Sequence, residues 1–115
     1  MSTKVVYLAG PYRADTEYKV HVQIQEAERL ALEVWRCGGG CICPQKNTAY
    51  FGGALPDSVW LEGDLELVRR ADAVIMAPGW MGSSGAVQER TLALELGKPV
   101  FESIDELRRW ISEQT

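Results

Sequence analysis

Short apolar, β-rich runs alternate along this chain with longer segments of helical period, and that alternation limits the fold more than any other feature. The runs are Lys4 to Ala9, Cys41 to Pro44, Ala73 to Ala77 and Pro99 to Phe101. Between the first two, Val20, Ile24, Ala27, Ala31 and Val34 recur at three and four residues, one apolar face of a helix from about Thr16 to Arg36 that Gly38, Gly39 and Gly40 terminate. Asp57 or Ser58 is placed to cap a second helix reaching about Arg70. A third runs from Gly85 to Leu96 and stops at Gly97, and a fourth covers Ile104 to Ser112. Parallel strands need crossover connections, so strands separated by helices predict a mainly parallel sheet with helices on both faces. The expected fold is α/β: a three-layer α/β/α sandwich around four to five strands. At 115 residues and 46% hydrophobic content, residues 1–115 suffice for a single domain with one core.

The remaining long stretch, 45–57 (QKNTAYFGGALPD), has no period, two adjacent glycines and two aromatics. It reads as a loop, near the upper length that compact domains use without a functional reason. A net charge of -4 provides no basic stripe for a nucleic-acid polymer, whereas a small anion needs only a local site. No apolar run approaches the roughly 20 residues of a membrane span, and no leader-like segment stands at the N-terminus, so a cytoplasmic location is expected. Cys37, Cys41 and Cys43 match no common zinc spacing and His21, the one histidine, is distant in sequence, so no metal is expected. Cys41 and Cys43 fit one face of a strand, His21 the surface, and Trp110 the packing of the last helix. Trp80, beside Gly79, stacks on a ligand, covers a cleft, caps the sheet edge or meets another subunit; the sequence leaves these open.

Two carboxylates stand where apolar residues belong. Trp60, Leu61, Leu67, Val68 and Ala71 share a face of the second helix, and Asp64 lies among them. In the third helix Ala86, Leu92, Ala93 and Leu96 form the inward face, with Glu89 on the same side. An ionised carboxylate buried without partners costs several kcal/mol, so each is either satisfied by a structural partner or retained for a site. Paired across a cleft, two carboxyl groups suit glycosidic chemistry, one acting at the anomeric carbon and the other handling the leaving group's proton. The turn Gly82-Ser83-Ser84-Gly85 supplies hydroxyls and free N–H groups at a helix N-terminus, where an anion is favoured. From that cap to Glu89 the helix rises about 6 to 7 Å, the span between a 5'-phosphate and the anomeric carbon of a pentose.

Three segments in order, VYLAGPYR at 6–13, GDLELVRRADAVI at 63–75 and GSSGAVQERTLALELGKPV at 82–100, resemble the nucleoside 2-deoxyribosyltransferase superfamily, which includes the 2'-deoxynucleoside 5'-monophosphate N-glycosidases. CPQKNTAYFGG at 43–53 is similar to the middle loop of one small branch. The resemblance implies a Rossmann/flavodoxin-like sheet and no cofactor. It implies that Glu89 is the nucleophile, that Tyr7 positions it, and that Asp64 assists protonation of the departing base. Gly10 and Arg13 match the loop that wraps sugar and phosphate. Ser83 falls where the transferases carry an aspartate and the monophosphate N-glycosidases a phosphate-contacting serine, with Ser84 and Gly85 beside it in the helix cap. Asn47 and Tyr50 match a base-contacting loop.

Arg90 and Thr91 replace an apolar residue and a glycine common in the family, and Pro11 and Tyr12 replace smaller residues. The implied ligand is a small nucleotide or nucleoside, and the implied assembly a homodimer or larger homo-oligomer. The expected activity is hydrolysis of the base–sugar bond of a nucleoside 5'-monophosphate. The alternatives are base exchange by a deoxyribosyltransferase, a noncatalytic nucleotide-binding module, and a phosphoribohydrolase acting on ribonucleotides, whose Pro-Gly-Gly-x-Gly-Thr-x-x-Glu pattern PGWMGSSGAVQE at 78–89 spaces differently.

Overall fold

The computed structural model describes residues 2–114. Four strands, β1 (Val5–Ala9), β2 (Gly40–Ile42), β3 (Ala73–Met76) and β4 (Val100–Phe101), form one sheet in the order β2-β1-β3-β4. Every neighbouring pair is parallel, with Tyr7 opposite Ile42 on one side and Val74 on the other. The helices are α1 (Glu17–Arg36), α2 (Pro44–Asn47), α3 (Asp57–Arg70), α4 (Ser84–Glu95) and α5 (Ile104–Glu113).

The strand period of two sorts the core into two halves. Val6 and Leu8 of β1, with Ile75, pack against Ala27, Ala31 and Val34 of α1 and Leu107 and Ile111 of α5. Tyr7 and Ala9, with Val74 and Met76, face the other way, toward Val68 of α3 and Ala86 and Ala93 of α4. Buried on both faces, β1 and β3 are apolar almost without interruption, as central parallel strands must be. Tyr7 is the one polar-tipped side chain in β1, and it has no exposed surface.

Chain order places β2 on one side of β1 and β3 on the other, so the connections leave the sheet in opposite directions at that point. The helix after β1 covers one face and the helix after β3 covers the other. This divergence opens a crevice beyond the carboxyl ends of the two central strands, the position where open α/β sheets take ligands. Three helices start with a side-chain cap: Thr16 accepts from Lys19 N–H, Ser83 from Ala86 N–H and Ser103 from Glu106 N–H.

Some local expectations change. Asp57 is the first helical residue of α3, and Pro56, at the N-cap, has no side-chain acceptor, so neither Asp57 nor Ser58 caps that helix. Part of the expected 45–57 loop is helical: Pro44 starts the single turn α2, too short to leave a periodic signature. Leu96, expected in the core, lies past the last turn of α4 and is 48% exposed. Among the described residues no helix is long and apolar enough to cross a membrane.

The two central strands approach so closely at their carboxyl ends that a Cβ on Gly10 would stand 2.6 Å from Cβ of Ala77. A methyl has no rotamer with which to yield, so Gly10→Ala is expected to lower unfolding stability by about 1–3 kcal/mol, the range for core overpacking. Gly63 lies inside α3 with nothing within 4 Å of its added Cβ. There Gly63→Ala is expected to stabilise by about 0.5–1 kcal/mol through helix propensity. Urea titrations of both variants against the parent check the opposite signs.

Candidate active site

The crevice at the carboxyl ends of β1 and β3 is a cavity of about 560 Å³. Its walls come from the loop after β1 (Gly10 to Arg13), from α2 and its exit (Gln45, Thr48), from α3 (Trp60, Leu61, Asp64) and from the first turns of α4. Glu89 and Asp64, the two carboxylates singled out by helical phase, both reach it.

Glu89 is 6% exposed although it belongs to a cavity wall, because α4 packs its Ala86 and Ala93 onto the sheet on either side of it. The small alanines let the helix approach closely enough for the Tyr7 phenol, rising from β1, to donate to Glu89 Oε2 at 2.5 Å. One carboxylate oxygen is thus fixed by a group 82 positions away in sequence, and among the described residues the other carries no protein donor. Burial pushes the Glu89 carboxyl up to about 7 from the ordinary 4.5; the Tyr7 hydrogen bond opposes the shift and the nearby Asp64 charge adds to it. Burial also raises Asp64, to about 6 from 3.8. Among the described residues neither carboxylate has an ion-pair partner, and Arg90, adjacent in sequence to Glu89, instead lays its guanidinium over the Trp80 ring at 4.8 Å. Burial, followed by the Glu89 and Asp64 charges, raises the Tyr7 phenol far above its usual range, so Tyr7 remains a donor at all working pH.

Above the carboxylates, the turn Gly82 to Gly85 lines the cleft as the start of α4. Ser83 Oγ accepts from Ala86 N–H at 3.2 Å, which engages one lone pair in the cap and leaves its proton to donate. Arg13 stands at the mouth, where its guanidinium meets the Asp57 carboxylate at 2.9 Å. Gly10 forms the floor, where a side chain would collide with Ala77.

The structure does not bring every candidate into the cleft. Asn47 and Tyr50 are exposed, Tyr50 by 82%, and neither lines it. Trp80 lies outside too, its indole donating to Glu102 at 3.3 Å. Two residues from the same sequence region had been passed over. Gln45 is 3% exposed; its oxygen accepts from Cys43 Sγ at 3.6 Å, and its amide nitrogen lies against Gly10 at the cavity wall. Trp60 provides an aromatic wall and is braced by Phe51 at a centroid distance of 6.0 Å. Trp60 precedes Asp64 by one helical turn, so the same phase argument that selected Asp64 applied to it. Gln45 left no comparable signal, since its burial depends on α2. Among the described residues no cluster of three histidine, cysteine or acidic side chains is placed to hold a metal.

Fold and site together define a small α/β domain with a buried, tyrosine-held carboxylate at the switch point of a parallel sheet. The chain belongs to the family described as a domain of unknown function, DUF4406, whose model matches residues 4–102. No curated protein matches the sequence. Among solved structures, the 2-deoxyribosyltransferase from the psychrotolerant bacterium Bacillus psychrosaccharolyticus superposes with a TM-score of 0.67 at 19% identity, covering 90% of each chain. The likeness at that identity is one of fold: the four-stranded parallel sheet flanked by helices is the deoxyribosyltransferase fold.

The raised carboxyls make stability depend on pH in a definite direction. Glu89 binds its proton more tightly in the folded chain, so its contribution is complete below about pH 4.5 and is lost as pH rises through about 7. Glu89→Gln keeps an acceptor for the Tyr7 phenol and removes the charge. The variant is expected to exceed the parent in stability by about 2–3 kcal/mol at pH well above 7, with the gap closing below pH 5. Denaturant unfolding across that range checks it, and equal stabilities at alkaline pH would contradict the buried-charge account.

Proposed function

We propose that the protein is an N-glycosidase that cleaves the base–sugar bond of a nucleoside or deoxynucleoside 5'-monophosphate, with Glu89 as nucleophile. The observation that carries this reading is the Tyr7–Glu89 hydrogen bond, which commits one carboxylate oxygen to the protein and leaves the other toward the cavity. A carboxylate kept only for stability would gain a cation or further donors; among the described residues this one has neither.

In the proposed reaction the free oxygen of Glu89 attacks C1' as the bond from C1' to the base nitrogen breaks, and the electron pair of that bond leaves with the base. Asp64, held partly protonated by burial, delivers a proton to the base. The products of this half are the free base and a glycosyl ester on Glu89. Water then attacks C1' from the opposite face, gives a proton to the Asp64 carboxylate, and releases Glu89, with retention overall. Tyr7 does not exchange protons; it orients the nucleophile and, by donating to its charged form, holds its pKa down. Ser83 and the first turn of α4 suit the 5'-phosphate through N–H groups, hydroxyls and the helix dipole. An aspartate at position 83 would repel that phosphate. Trp60 and the Gln45 amide then bound the base end of the cavity, one by stacking and the other as a hydrogen-bond donor.

Base exchange is the second reading, favoured by the likeness of this chain's fold to a 2-deoxyribosyltransferase. It shares the first half-reaction and differs in the acceptor, a second base in place of water. Incubation with deoxy- and ribonucleoside 5'-monophosphates and with free nucleosides, with and without an added base, separates the two. Hydrolysis predicts released base from a monophosphate, loss of that release in Glu89→Ala, and no faster consumption when a second base is present. Binding without turnover that survives Glu89→Gln would instead favour a noncatalytic module.

The productive state has one proton shared by the carboxyl pair, so kcat/KM is expected to follow a bell with limbs at about 6 and about 7. Tyr7→Phe removes the donor that lowers the Glu89 pKa. Its upper limb is expected to move to higher pH, with kcat reduced about 10- to 100-fold, the scale for losing an orienting hydrogen bond to a reacting group. A pH–rate series on the variant reads both effects.

A further inference from the structure

Arg13 is the one cationic residue lining the cleft among the described residues, and it shares that lining with three carboxylates, Asp57, Asp64 and Glu89. Its guanidinium is paired with Asp57 at 2.9 Å, and the two side chains keep 71% and 63% of their surface in solvent. Asp57 occupies the first position of α3, yet it makes no capping bond to the helix, and its recorded partner is Arg13. The pair therefore stands on the wall of the cleft without burying either charge. While it holds, the cleft offers an incoming anion no free cation.

We propose that Asp57 is the internal competitor for Arg13: it occupies the guanidinium in the empty cleft, must be displaced by the anionic end of a ligand, and thereby sets how strongly the site selects phosphorylated over unphosphorylated substrates. The proposal rests on reading the cleft as a nucleotide site and adds a specificity residue to it. A largely exposed ion pair is cheap to open, so displacement by a phosphate dianion at the start of α4 is feasible. The same weakness makes Asp57 a moderate filter, able to lower phosphate affinity severalfold while leaving the carboxyl pair untouched. A structural staple between the loop after β1 and α3 would act in the opposite direction, because opening it would disorder Arg13 and weaken phosphate binding.

The test is titration of inorganic phosphate, at fixed ionic strength, into the parent, Asp57→Asn, Arg13→Gln and the double variant, with thermal melts to establish that each is folded. Asp57→Asn is expected to bind phosphate about three- to fivefold more tightly, the range an exposed ion pair commands. That gain is expected to vanish in the Arg13→Gln background. Unchanged or weaker binding by Asp57→Asn, an equal gain in both backgrounds, or no phosphate binding by any variant overturns the proposal. With a turned-over nucleotide, the same substitution is expected to lower KM for the monophosphate relative to KM for the free nucleoside. If the phosphate cycle behaves as stated and no base is released from any nucleotide, the glycosidase reading fails and the Asp57 assignment stands.

Discussion

The hydrogen bond from Tyr7 to Glu89 is the interaction around which the molecule is organised. It joins a central, almost wholly buried strand to the helix that leaves the switch point, and it places a titratable group where the fold would prefer a methyl. The sheet has to be covered on both faces for Val6 to Ala9 of β1 to be buried, and α4 has to present small residues for the carboxylate to reach the phenol. An ordinary packing solution would put an apolar side chain at position 89 and gain the stability now lost to desolvation. That the chain forgoes this gain is the physical reason to look for chemistry there.

Electrostatics in the cleft run against the usual economy of buried charge. Two carboxyls share one cavity and, among the described residues, neither has an ion-pair partner, while the nearest-numbered arginine is diverted onto an indole ring. The result is a pair with its proton affinity raised into the neutral range, held by burial more than by mutual repulsion. Positive character is confined to the rim, in the start of α4 and in Arg13, and Asp57 holds the latter in check. The exposed Arg13–Asp57 pair thus stands at the rim, and the buried carboxyl of Glu89 lies deeper in the cleft.

The sequence was a good guide to elements and a poorer one to loops. The four strands and the long helices follow from apolar periodicity, and their observed bounds differ from the expected ones by one or two residues because ends fray and caps decide them. Helical phase identified Asp64 and Glu89 since a face is a local property: three and four residues' spacing is enough to say which side chains travel together. Asn47 and Tyr50 were chosen from a segment without period, where no rule says which side chain points inward. The turn of α2 rotates Gln45 and Thr48 to the cleft and leaves Asn47 and Tyr50 in solvent. Leu96 failed for a related reason: it kept the phase of α4 but fell beyond the end of the helix that would have buried it.

By itself, then, the sequence determined the class of fold and the helical phase of two carboxylates on apolar faces, both of which depend on spacing along one chain. Tertiary structure decided how those groups meet: that Tyr7 donates to Glu89 across 82 positions, that Gln45 and Trp60 wall the cavity, and that Asp57 occupies Arg13 where a helix cap was expected. The division has a physical cause. Period and propensity act within a turn or a strand, whereas burial, proton affinity and ion pairing are set by what the folded chain brings from elsewhere.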